Sequence, residues 1–234
     1  MQAVILAAGR GTRMGELTDA TPKALLQLGE KTLLEYELDA LPDDVDEVIV
    51  IVGYLGSLIH DRFGGSWNGK SVLYVEQERL DGTAGALWRA KDILHDRFFV
   101  MMSDDLYAKA DLERCAQETD WTLLVQEREE VRSKGKVEID ASGKILSVTE
   151  GDHGAVPGLL GTNLFVLDTR IFQCPLIPKA PGSEEFGLPQ TAIAAAKALD
   201  IPFHAVKTTS WIEITTPEDL QKAEEMLANI KAAP

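Results

Sequence analysis

Residues 6–26, LAAGRGTRMGELTDATPKALL, set Gly9 and Gly11 behind a short apolar run, then Arg13, then Lys23 after Pro22. Glycines let a backbone approach a ligand closely and turn its N–H groups toward it. Arg13 and Lys23 add the positive charge an anion needs, and Pro22 stiffens the chain beside Lys23. Together they make a cage for a long polyphosphate. A second group is Asp104–Asp105, which close the apolar run FFVMMS. Carboxylates at the carboxyl end of a parallel strand lie where α/β sheets bind ligands. Mg²⁺ favours one or two carboxylates together with substrate phosphates. The plainer reading of the pair is a cap for the next helix.

Common alternatives fail on spacing. A Walker A loop needs Gly-Lys-Ser/Thr, which is missing here. The dinucleotide fingerprint needs a third glycine where Met14 stands, and Gly15 comes one residue late. His60, His95, His153 and His204 show no zinc-binding spacing, and no Ser/His/Asp arrangement is legible.

The elements that must position these residues follow from pattern. Apolar runs at Ala3–Leu6, Glu47–Val52, Val72–Val75, Phe98–Met102 and Trp121–Val125 read as buried strands. Leu33, Leu34, Leu38 and Leu41 form a helical stripe, and residues 54–63 and 84–94 have similar spacing. Strand alternating with helix implies right-handed crossovers and a mainly parallel sheet. Later, residues 135–148 read as a hairpin turning at Ala141–Gly143, 159–168 as a strand, 188–200 as a helix, and 203–206 and 211–214 as short strands. The stretch 215–233 reads as a last helix, with Thr216 as cap, Pro217 in the first turn and Asp219 three residues past the cap. The 234 residues are expected to form a single α/β domain, residues 1–110 serving one substrate and 111–234 the other.

The net charge of -15 argues against a broad grip on nucleic acid. A local cage of N–H groups and a few cations still accommodates a small anion. No run of about 18 apolar residues is present, so no membrane span is expected. The opening lacks a signal-peptide pattern. With only Cys115 and Cys174, reduced thiols and a cytoplasmic setting are expected.

The string LAAGRGTRM…TPKALLQLGEKTLLEYELDAL resembles the signature of the sugar-1-phosphate nucleotidyltransferases, the nucleotide-sugar pyrophosphorylase family. The family includes thymidylyltransferases of glucose 1-phosphate and short uridylyltransferases of N-acetylmuramate 1-phosphate. The resemblance implies a Rossmann-like three-layer α/β/α fold of the nucleotide-diphospho-sugar transferase (GT-A-like) type. It implies that an NTP and a sugar 1-phosphate give an NDP-sugar and pyrophosphate, with Mg²⁺, and that a homodimer is possible. Its catalytic residues become Arg13, which promotes loss of pyrophosphate, and Lys23, which contacts phosphate. Its nucleotide contacts become Leu6, Ala7, Ala8, Gly9, Gly11, Thr12, Gln77, Gly82 and Thr83. The segment QERLDGTAGAL, which carries the base contacts, has Asp81 where a small or apolar residue is common. Asp104 takes the place of the family's metal-binding aspartate, and Glu213, in WIEITTPEDL, that of the second metal ligand. Glu150, Gly161, Thr162 and Asn163 become sugar-phosphate contacts.

Two departures keep other readings open. Glu213 replaces an aspartate, and Gly151 stands where many members carry a phosphate-holding lysine. Glu213 resembles the glutamate of the phosphocholine cytidylyltransferases, and short N-acetylmuramate-1-phosphate uridylyltransferases also lack the lysine. Together Glu213 and Gly151 favour a cytidylyltransferase acting on phosphocholine or another non-sugar phosphate as the alternative. Choline would need an aromatic cage, for which Trp88, Trp121 and Trp211 are the candidates. The other alternative is a nucleotide-binding regulatory subunit without catalysis.

Overall fold

The computed structural model describes residues 1–132 and 135–232. The first strand, β1 (Gln2–Ala7), is buried along its whole length, as its apolar sequence requires of a strand covered on both faces. It is followed by β2 (Glu47–Val52), β3 (Lys70–Glu76), β4 (Arg97–Met102), β5 (Asp105–Tyr107) and β6 (Trp121–Val131). Then come β7 (Lys136–Ile139), β8 (Ile145–Thr149), β9 (Val156–Asp168), β10 (Phe203–Lys207) and β11 (Trp211–Glu213).

The main sheet runs β8-β7-β9-β4-β1-β2-β3, with β6 also bonded to β9 and β10 to β6. β1 is parallel to β2 and β4, β2 to β3, and β10 to β6. β9 is inserted the other way, antiparallel to β4, β6 and β7. Since β4 and β6 both oppose β9, they share one direction, so the sheet is mostly parallel, with β9, β8 and the short edge strand Ser66–Trp67 reversed.

Helices cover both faces. α1 (Leu33–Ala40), α2 (Gly56–Phe63) and α4 (Lys109–Gln117) pack on the side of Ile5, Val50 and Phe99. α3 (Thr83–Trp88) and α5 (Leu188–Ala198) pack on the side of Val4, Ile51 and Phe98. The period of two along each strand sends successive side chains to the two clusters. α6 (Pro217–Ala232) closes a third, smaller core around Met14, Leu28, Leu33 and Ile214. The last residue expected in that helix, Ala233, lies outside the described residues.

Local signals act as expected at two helix starts. Thr32 and Glu35 form a reciprocal capping box on α1. At α6, Pro217 is the first helical residue, and Asp219 accepts from the Thr215 and Thr216 backbones while its own N–H donates to Thr216. α3 is shorter than its apolar pattern suggests. Beyond Trp88 the chain continues in tight three-residue turns, as in Ala90 N to Leu87 O and Lys91 N to Trp88 O. β5 and α4 are elements that the sequence pattern did not separate, while β11, which pairs with β5, falls within the short strand expected over 211–214.

Candidate active site

The carboxyl ends of β1 and β4 open on a cavity of about 430 Å³. Leu6 and Ala8 line it from the end of β1 and Met102 from the end of β4. Gln77, Gly82 and Thr83 come from the turn between β3 and α3, and Gly9 and Arg13 from the opening loop. Glu150, Gly161, Asn163 and Glu213, all from the second half of the chain, line the same space. Two sets of residues far apart in sequence thus share one concavity, at the strand ends where α/β sheets bind ligands.

The opening loop is held from below. Met14 is buried beside Leu26, Leu33 and Ile214, so the loop shares a core with the residue that follows Glu213. Gly11 takes φ +64°, and a Cβ there would lie 3.0 Å from the Lys23 Cβ and 3.2 Å from the Thr18 Cγ2. Only glycine lets the loop settle onto Lys23 in this conformation. Thr18 Oγ1 donates to the Gly11 carbonyl, 3.1 Å away. Arg13 is exposed and lines the cavity, and among the described residues it has no hydrogen bond or ion pair.

The base-side turn is equally constrained. Gln77 is 5% exposed, and its Nε2 donates to Asp81 Oδ1 at 2.9 Å and to the Gly82 carbonyl at 3.3 Å. Both partners are acceptors only, so the amide nitrogen must face them, and Oε1 is left as the atom for a ligand. Arg89 fixes Asp81 from the other side at 3.0 Å. Gly82 has φ +94°, and a Cβ on it would strike the Phe186 carbonyl oxygen at 2.4 Å. The turn is therefore clamped against the arm that precedes α5, through Ala84 N to Phe186 O and Phe186 N to Asp81 O. Thr83 Oγ1 accepts from Leu188 N in the same clamp.

The acidic group sits on the β5–β11 pair, where Asp105 faces Glu213 in register and Ile214 N donates to the Asp104 carbonyl. Lys23, itself buried, places its ammonium on Asp104 Oδ2. Behind them lie Asp105, 2% exposed, and Glu37, fully buried, with Glu37 Oε1 accepting from Asp105 N. Burial and the Asp104 and Glu213 charges push the Asp105 carboxyl well above the usual aspartate range. Burial and Asp105 do the same to Glu37. Tyr107 Oη lies 3.0 Å from Asp105 Oδ2 and 2.9 Å from the Thr162 carbonyl and donates to both in a shared hydrogen bond. Asp105 is thus a buried structural acid, while Asp104 and Glu213 stand at the more accessible edge.

That edge fits a divalent cation. Two hard oxygen donors, Asp104 in the turn before β5 and Glu213 on β11, suit an ion that takes its remaining ligands from phosphates and water. Among the described residues no group of three or more His, Cys, Asp or Glu side chains could hold a metal ion. A phosphate substrate and water would supply the ligands beyond Asp104 and Glu213.

Some expected contacts lie elsewhere. The Thr162 side chain is fully buried and its hydroxyl donates to the Leu124 carbonyl, so the alternation of β9 turns it away from the cavity. Ala7 likewise faces the core on the α1 side. Gly11 and Thr12 carry the loop without lining the space, and Lys23 and Asp104 form their pair outside its lining. Asn163 does reach the cavity, through an irregularity: the β9–β6 register shifts between Gly161 and Phe165, and Asn163 takes φ +58°. Such a bulge re-aims a side chain. Gly151 does not line the cavity, but Lys179, Glu185 and Gln190 do. They come from the irregular stretch before and into α5, where no periodicity marks them. Of the three tryptophans weighed for a choline cage, only Trp211 lines the cavity. Trp88 packs on Phe172 and Trp121 on Phe203.

Residues 2–229 match the family described as nucleotidyl transferase. The UTP–glucose-1-phosphate uridylyltransferase AglF of Haloferax volcanii is 26% identical over 245 residues, covering 97% of this chain and 96% of that protein. The D-glycero-alpha-D-manno-heptose 1-phosphate guanylyltransferase of Aneurinibacillus thermoaerophilus is 26% identical over 234 residues, covering 97% and 98%. Among solved structures, a proposed glucose-1-phosphate thymidylyltransferase of Bacillus anthracis superposes with a TM-score of 0.82 at 22% identity, covering 97% of this chain and 94% of that one. This last likeness concerns the fold.

Proposed function

We propose, for a chain that belongs to the nucleotidyl transferase family, that it joins a nucleoside triphosphate to a sugar 1-phosphate, giving an NDP-sugar and pyrophosphate. The observation that carries this reading is the shared cavity, lined by Gly9, Arg13, Gln77 and Gly82 on one side of the chain's sequence and by Glu150, Gly161, Asn163 and Glu213 on the other.

The chemistry asks little of the protein beyond placement and charge. A sugar phosphate is already ionised near neutral pH, so its oxygen attacks the α-phosphorus without a general base. The backbone around Gly9 and Gly11 holds the triphosphate. Arg13 neutralises charge gathering on the departing pyrophosphate. Lys23, steered by Asp104, holds the phosphates in line. Gln77 offers Oε1 to the base, and Asn163 and Glu150 face the sugar. The family works with a divalent metal, here assigned as Mg²⁺ on Asp104 and Glu213. When bound it supplies Lewis-acid neutralisation of the reacting phosphates. Glu213 carries one methylene more than aspartate, and Thr215 Oγ1, 3.2 Å from its Oε1, helps to steer it.

The test is pyrophosphate release with Mg²⁺, crossing ATP, GTP, CTP, UTP and dTTP with glucose-, mannose-, N-acetylglucosamine-, N-acetylmuramate- and heptose-1-phosphates and with phosphocholine. Release with one sugar phosphate is the expected outcome and names both substrates. Release with CTP and phosphocholine alone, or none with any pair, sinks the reading.

A further inference from the structure

The opening loop carries a cation that this scheme leaves unused. Arg10 stands between Gly9, which lines the cavity, and Gly11. In this acid-rich chain Arg62, Arg79, Arg89, Arg114, Arg132 and Arg170 each face a carboxylate. Arg10, like Arg13, has no ion pair or hydrogen bond among the described residues. Its contact is with an aromatic face: the guanidinium carbon lies 4.6 Å from the centre of the Tyr54 ring.

Tyr54 is itself fixed at both ends of the loop. Its backbone N–H donates to the Ala8 carbonyl at 3.3 Å, and its hydroxyl donates to the Asp19 carbonyl at 2.7 Å. The ring is therefore a platform under the loop. A guanidinium lying on a ring uses its flat face, so its N–H donors stay available at the edge. A stacked, carboxylate-free arginine is an ordered and unspent set of donors for an anion.

We propose that Arg10 is a second arginine contact for the polyphosphate, held on the Tyr54 platform, and that it serves binding where Arg13 serves departure of the pyrophosphate. The inference rests on the nucleotidyl-transfer reading.

The experiment measures binding of inorganic pyrophosphate by calorimetry, together with KM and kcat, for the wild type, Arg10→Ala, Arg10→Lys and Tyr54→Leu. Arg10→Ala is expected to weaken pyrophosphate binding and to raise the NTP KM by about 10-fold, since a charge-assisted hydrogen bond is lost. Its kcat and its sugar-phosphate KM stay near wild type, a split that marks binding and not chemistry. Arg10→Lys recovers part of the affinity, and Tyr54→Leu lies between it and wild type. Pyrophosphate binding by Arg10→Ala within about twofold of wild type overturns the inference, and so does a rise in both KM values together. A wild type that releases no pyrophosphate with any pair defeats the underlying reading. An active wild type with an indifferent Arg10→Ala defeats this inference alone.

Discussion

At the scale of single residues, the cavity separates exposed side chains from those that neighbouring groups hold. Arg13 belongs to the first kind: exposed, lining the cavity and, among the described residues, without a hydrogen-bond or ion-pair partner. Arg13→Ala is expected to lower turnover at least about 100-fold, the usual consequence of removing one donor aimed at developing charge. Circular dichroism and melting should stay as in the wild type. Near-wild-type kcat would show that departure of the pyrophosphate does not depend on it. The residue types at these positions were legible from glycine spacing and charge alone. What the sequence could not show was direction. Thr162 belongs to a stretch read as sugar-facing, yet strand alternation sends its hydroxyl to Leu124. Asn163 arrives only because a bulge breaks that alternation. The orientation of the Gln77 amide was likewise hidden, since it depends on Asp81 and on the Gly82 carbonyl.

At the scale of elements, strands and helices with strong periodicity were readable, and so was β11 as a short strand, while β5 and its pairing with β11 were not. Ser103 and Asp104 interrupt an apolar run too briefly to announce a new strand. Its partner lies more than a hundred residues away, beyond the reach of local pattern. α4 depends on a similar long-range tie. Its Asp111 is fully buried and accepts from Thr208 Oγ1 (2.6 Å), Thr209 N (2.7 Å), Thr209 Oγ1 (2.9 Å) and Arg114 (2.6 Å). Burial alone would push this carboxyl up, but the donors outweigh it and hold it below the ordinary aspartate value. A lowered folded-state value stabilises fully above the unfolded aspartate value, near pH 4, and that stability is lost as pH falls through the folded one. Asp111→Asn should cost about 3 kcal/mol, because an amide cannot accept from all of these donors. The melting temperature at neutral pH should then drop by about 6–12 °C. The gap between variant and wild type should narrow below about pH 4. A gap that persists unchanged in acid would place the stabilisation elsewhere.

At the scale of the whole molecule, strands from the two halves of the chain share one sheet. β9 bonds to β4 through residues 165–168 and to β7 through residues 159 and 160, with β6 along its other edge. The arm before α5 is clamped to the base-side turn at Phe186. Residues 1–110 supply β1 to β5, but β4 then presents a bare edge of backbone donors and acceptors. Expressed alone, this fragment should show no cooperative melting transition and should aggregate. A soluble fragment with a sharp transition would mean that β4 needs no neighbour.

The place of β9 also sets an order in time. Translation delivers the amino end first, and the stretch that seals β4 is made only when residue 168 has left the ribosome. Until then the glycine-rich loop and the base-side turn exist on a sheet with an open flank. The nascent chain must wait, exposed, for a strand encoded some seventy residues after the one it completes. A chaperone that shields extended, apolar segments would find its client in that interval, and codon choice between residues 102 and 165 would govern how long the interval lasts.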